Sequence, residues 1–149
     1  MTMNQKTTNE TRLERGKRAL KAIDGSAGEN VIQSLENIAP DFATYLLEFP
    51  FGDIYSRPGL SLRDREIATV AALTAMGNAA PQLQVHIGAA LNVGVTREEI
   101  IEIIMQMAVY AGFPAALNGL TAAKSVLGDQ KGHSAGSPAD KLNQMHTPA

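Results

Sequence analysis

His86 is one of three histidines in a sequence of 149 residues, and its neighbours single it out. Leu83 lies three positions before it and Ala90 four after, so on a helix the ring shares an apolar stripe. An inward-facing ring whose ordinary pKa lies near neutrality suits general acid or base work. A core histidine bonded to a backbone carbonyl would read the same way, and from position alone it is the commoner case. Glu66 strengthens the chemical reading. It follows Leu62 by four residues and precedes Val70 by four and Leu73 by seven, whereas Arg63, Asp64 and Arg65 take other faces. A carboxylate drawn out of water is costly unless paired. An inward acid and an inward imidazole on consecutive helices are therefore expected to meet, the acid orienting the ring and favouring its charged form. A purely structural link between two helices is the plainer alternative.

Three further groups are candidates for holding a ligand. Glu102, Gln106 and Tyr110 recur at four-residue intervals, a polar stripe on an otherwise apolar helix. The Gln106 amide, flanked by Met105 and Met107, suits either a substrate oxygen or a bridge between subunits. Arg57 precedes Pro58-Gly59, and Arg63 stands with Arg65 in the first turn of the following helix. Guanidinium groups near a helix start suit an anionic ligand, although a single Arg is more often a solvated surface residue.

Composition removes several function classes. Cysteine is absent, which excludes disulfides, thiolate metal sites, Fe–S clusters and every cysteine nucleophile. With no Cys and one histidine in the folded body, neither a zinc site nor any other metal or cofactor is expected. Lys plus Arg number 13 against 15 for Asp plus Glu, so no phosphate-neutralising excess marks a nucleic-acid binder. No apolar run approaches the roughly 18 residues of a membrane span, and the polar start lacks a signal-peptide apolar region. A soluble, cytoplasmic protein is expected. The sequence also lacks GxSxG, GxGxxG, HExxH and the phosphate-loop Gly-Lys-Ser. An enzyme built from this inventory must use acid–base groups and positive potential on a substrate that carries its own electron sink.

The elements that position these residues read as helices. Thr96-Arg97-Glu98-Glu99 is a capping box, followed by Ile100, Ile103, Ile104, Met107 and Ala111 at helical spacing. Ser61 starts another helix, which runs through Ile67 and Val70 to a stop at Gly77-Asn78. A third runs from about Pro81 to Leu91, and a fourth succeeds Gly112-Phe113-Pro114 and reaches Leu127. Upstream, residues 12–22 and 41–49 read as helices with a weaker one near 30–37 between them. Pro50-Phe51-Gly52 and Arg57-Pro58-Gly59 break the stretch between residue 49 and Ser61. Six or seven helices and no convincing strand predict an all-α bundle. Residues 1–11 read as a flexible start and 12–127 as the folded domain. Residues 128–149, rich in Gly, Ser and Pro and carrying His133 and His146, read as a disordered tail. A body this small leaves much apolar surface on its helices, so self-association is expected.

The stretch Tyr55-Ser56-Arg57-Pro58-Gly59-Leu60 through Glu66, then "LQVHIGAALNVGVTREEIIEIIMQMAVYAGFPAAL", resembles the carboxymuconolactone decarboxylase family. The combined string RPGL, H-x3-AL-N-x-G-V-T-x-E-E-I and Q-x3-YAG-x-PA is specific, and the likeness covers Phe42 to Lys124 well. The resemblance implies an alkylhydroperoxidase-D-like all-α fold, assembled as homo-oligomeric trimers or hexamers with sites near subunit contacts. That fold family has a peroxidase branch with a Cys-x-x-Cys-x-x-x-His motif. Here Ala79 and Gln82 stand seven and four residues before His86, so thiol peroxidase chemistry is excluded. The decarboxylase branch acts on 4-carboxymuconolactone in the β-ketoadipate pathway of aromatic-acid catabolism, and needs no cofactor. By that likeness His86 donates a proton to a dienolate, Glu66 orients it, and Arg57 or Arg63 clamps the carboxylate, with Gln106 and Tyr110 as further substrate contacts. Decarboxylase-branch members often carry Trp around Phe49–Tyr55, and some lack an acid at the Glu66 position. This chain has Phe51 and Tyr55 there instead. Two other readings remain: an isomerase or lactone hydrolase on another enolisable small molecule, and a non-catalytic oligomeric binding protein.

Overall fold

A computed structural model describes residues 9–128, and among them every regular element is helical. Residues 1–8 and 129–149, with most of the expected flexible start and the tail containing His133 and His146, lie outside the described residues. The order is α1 (Arg12–Leu35), α2 (Pro40–Leu46), a π-helical segment (Leu47–Tyr55), α3 (Leu62–Met76), α4 (Ala80–Asn92), α5 (Arg97–Ala111) and α6 (Phe113–Leu127).

The helix starts obey their local chemistry. Thr96 Oγ1 accepts from the Glu99 N–H at 3.1 Å while the Thr96 N–H donates to Glu99 Oε2 at 2.9 Å, the reciprocal capping box. Ser61 Oγ accepts from the Asp64 N–H at 3.0 Å and opens α3, which Gly77 closes in the left-handed region at φ 74°.

The helices expected at 12–22 and near 30–37 are the two halves of α1, which meet at a break at Gly25, whose φ of 55° and ψ of −134° only glycine adopts without strain. One upstream expectation needs correction. The helix expected at 41–49 does not stop at Pro50. It widens into a π-helix that carries the chain through Pro50 to Tyr55. Pro50 has no N–H to donate, so the regular α-ladder cannot continue through it.

Two aliphatic cores meet at α4. One lies among α3 to α6 and includes Val70, Leu83, Ile87, Ala90, Ile100 and Ile104. The other joins α1, the π-helical segment and α4 through Ala19, Leu20, Ile23, Leu47, Phe51 and Ala89. Close approach of α1 to the π segment depends on Gly16, where a Cβ would sit 2.1 Å from the Leu47 carbonyl oxygen. At the far end of that contact, Asn92 Nδ2 of α4 donates to the Ile23 carbonyl at 3.2 Å, beside the Gly25 break. The seam between the two cores is where His86 stands.

Candidate active site

Glu66 is fully buried on α3, and His86 reaches it from α4. The ring Nδ1–H donates to Glu66 Oε2 at 2.9 Å, the meeting expected from the two apolar stripes. Burial works against charge on the ring, but the hydrogen bond to Glu66, its negative charge and that of Asp24 outweigh it, so His86 is held above the usual histidine value. Nδ1 is thus committed to the acid. Nε2 has no partner among the described residues, and the side chain keeps 21% exposure. That exposure opens on a cleft of about 510 Å³, lined by Asp24, Phe42, Leu46, Phe51, Gln82, Val85 and His86 among others. Its walls are mainly apolar, as ligand sites usually are.

A third ionisable group belongs to this cluster and was not legible from spacing. Asp24, on α1 immediately before the Gly25 break, is 5% exposed and lines the same cleft. One oxygen or nitrogen from each of Asp24, Glu66 and His86 lies within 4.8 Å of the others. Burial raises the Asp24 carboxyl to about 6; the His86 charge pulls against that rise, and the Glu66 charge adds to it. Asp24 Oδ1 and Glu66 Oε1 are buried without a hydrogen-bond partner among the described residues. Tyr55 feels the same cluster: its hydroxyl meets Thr69 Oγ1 at 2.6 Å, and burial together with Glu66 pushes it up to about 12. The stretch containing Asp24 reads as a helix boundary in the sequence. Its one available signal is Leu20 four residues earlier, which places Asp24 on the buried face of α1.

This donor set suits a proton site, and two carboxylates with one imidazole are also a set that a divalent cation accepts. The Glu66–His86 bond favours the proton reading, because Nδ1 and Oε2 already satisfy each other.

The other expected ligand contacts lie elsewhere. Arg63 is tied to Glu99 and donates to the Gly94 carbonyl at 3.4 Å, joining α3 to α5. Arg57 is exposed beyond the π segment, and its carbonyl accepts from Arg65 Nη2 at 3.0 Å. Gln106 lines a separate cleft with Ile67, Glu98, Glu99, Glu102 and Ile103, and Tyr110 is 78% exposed. None of these four residues lines the cleft at His86, and neither does any other Arg or Lys among the described residues.

Comparison with known proteins finds three relatives and one family. The chain is 36% identical over 120 residues to 4-carboxymuconolactone decarboxylase of Acinetobacter baylyi, covering 78% of this chain and 89% of that protein. An uncharacterised 15.0 kDa protein of Paracoccus denitrificans is 32% identical over 119 residues, 79% of this chain and 89% of its own. Nitrosuccinic acid decarboxylase of Metarhizium robertsii is 29% identical over 119 residues, covering 78% and 81%. The model of one family matches residues 40–125, from the start of α2 to the last turn of α6, the span that supplies both Glu66 and His86. The chain belongs to the carboxymuconolactone decarboxylase family.

Proposed function

We propose that this protein is a cofactor-free decarboxylase acting on a small cyclic carboxylate such as 4-carboxymuconolactone. The observation that carries this reading is the buried Glu66–His86 bond with the opposite ring nitrogen open to an apolar cleft. Two relatives named as decarboxylases support it. The two named substrates have a feature in common. In the lactone, carbon dioxide leaves a carbon conjugated through an alkene to the ring carbonyl; in nitrosuccinic acid it leaves a carbon bearing a nitro group. In both, the substrate's own oxygen takes the electron pair.

The chain then has three tasks: hold the substrate, steady the developing oxyanion and return a proton to carbon. Phe42, Leu46, Phe51 and Val85 hold the ring and keep water away. His86, kept charged by Glu66 and Asp24, first faces the anion and then donates from Nε2 to carbon, ending neutral. With no Arg or Lys among the described residues of the lining, the imidazolium and the Gln82 amide are the groups that meet the substrate's carboxylate. A homo-oligomer is part of the same reading, because Val109, Tyr110, Phe113 and Leu117 leave an apolar face exposed where α5 meets α6.

The test is to follow purified protein with 4-carboxymuconolactone by NMR. Enol-lactone formation that disappears in His86→Ala, with assembly and melting unchanged, supports the proposal. Absence of turnover by wild-type protein overturns the lactone as substrate. A His86→Ala variant that harms only assembly returns the ring to a structural role.

A further inference from the structure

Each decarboxylation consumes one proton, and His86 holds only one to give. After donation the imidazole is neutral, with Nδ1 still tied to Glu66, so Nε2 must be reloaded before the next turnover. Glu66 cannot bring protons in from solvent, because it is fully buried. Asp24 stands differently. It lines the cleft and keeps 5% exposure, its buried Oδ1 has no partner among the described residues, and one carboxylate oxygen lies within 4.8 Å of one of the two ring nitrogens, a separation that one water spans.

We propose that Asp24 is the relay residue that reloads His86, taking protons from water in the cleft and passing them to the ring. The proposal rests on the decarboxylase reading. The balance is simple. The substrate carbanion takes the Nε2 proton and leaves a neutral ring. The protonated Asp24 carboxyl then gives its proton to Nε2, directly or through one water, and becomes a carboxylate. A solvent proton restores the acid, and no oxidant, reductant or other co-reactant enters. The groups facing Asp24 from the elements packed on α1 are Glu66 of α3, His86 of α4 and Tyr55 of the π segment. Of these the neutral imidazole left after donation is the base that the Asp24 carboxyl reloads. Its elevated pKa, near neutrality, suits a group that both takes and gives a proton at ordinary pH.

The experiment is Asp24→Asn with 4-carboxymuconolactone between pH 6 and 9. The expected result is a kcat about tenfold or more below wild type with KM within about twofold. Formate or acetate, small acids that fit the cleft, should restore part of the loss, which a merely structural defect would not allow. The His86 ring, followed by 15N NMR, should also titrate at lower pH in the variant. Wild-type kcat and pH profile in Asp24→Asn overturn the relay, as does a loss that small acids leave untouched. Stoichiometric binding of Zn²⁺ or Mn²⁺ that Asp24→Asn abolishes also overturns it, and makes the cluster a cation site. If the variant does not fold, or wild-type protein leaves the lactone unchanged, two titrations of wild-type protein decide. Asp24 13C and His86 15N curves that share both steps support the relay; curves that titrate independently overturn it.

Discussion

Helix α3 carries two charged links one turn apart, and their surroundings give them different work. Arg63 reaches across to Glu99 on α5, where both side chains are more than a third exposed and water competes for every bond. Glu66, three residues later, is fully buried and holds His86 of α4 at 2.9 Å. The outer pair is a clip. Glu99 is held below the usual carboxylate range first by the Thr96 backbone and then by Arg63, so its charge belongs to a helix cap. The inner pair is a proton device, because removal from water makes each charge depend on its partner. Residue type alone does not separate the two. Depth does.

That contrast can be broken in order of expected effect. His86→Ala should lower kcat on the lactone by about a thousandfold, the middle of the range that one general acid supplies. Glu66→Gln keeps the shape and removes the charge, so kcat should fall about 10- to 100-fold. Because turnover needs charged His86, wild-type activity should fall as pH rises through the raised histidine pKa, and this alkaline limb should move to lower pH in Glu66→Gln.

Stability should track the same groups. A histidine raised by folding stabilises fully below its unfolded value near 6.5, and the contribution is lost as pH climbs through the folded value. Asp24, raised from 3.8 to about 6, likewise stabilises below its unfolded value and loses that between roughly pH 4 and 6. Stability from urea titrations should therefore decline across both windows, by up to about 3 kcal/mol in the lower one. Glu66→Gln should flatten the upper window and Asp24→Asn the lower; a profile that neither variant alters would deny the inner cluster its special status. The smallest effect belongs to the outer clip. Arg63→Ala should shift the melting temperature by no more than about 3 °C, less still in high salt. A loss of turnover beyond about tenfold in that variant would instead return Arg63 to the substrate.

Much of this arrangement is legible in the sequence where signals are local. The capping box at Thr96, the start at Ser61 and the stop at Gly77 depend on residues within one turn of each other, and each holds. Glu66 and His86 are legible because each shares a helical stripe with aliphatic neighbours that must go inward. Asp24 is not, because Gly25 and Gly28 make its surroundings look like the gap between two helices. The gap is real, since α1 breaks at Gly25, but what lies around it is tertiary: the π segment and α4 both pack against α1. Pro50 misleads for a related reason, since a proline disrupts an ordinary α-turn yet sits within a π-turn. Arg57, Arg63, Gln106 and Tyr110 show the limit of spacing arguments. Their positions along the chain carry no information about which cleft they face.

The break at Gly25 has a consequence for how such a pocket changes over generations. Asp24 lines the cleft immediately before Gly25, whose backbone conformation side chains larger than hydrogen resist. Replacing that glycine strains the joint beside Asp24 while leaving Glu66 and His86, which stand on other helices, untouched. Acidity at the mouth of the pocket is thus set by a hinge with no side chain, and a lineage seeking a different proton supply needs to alter only that joint.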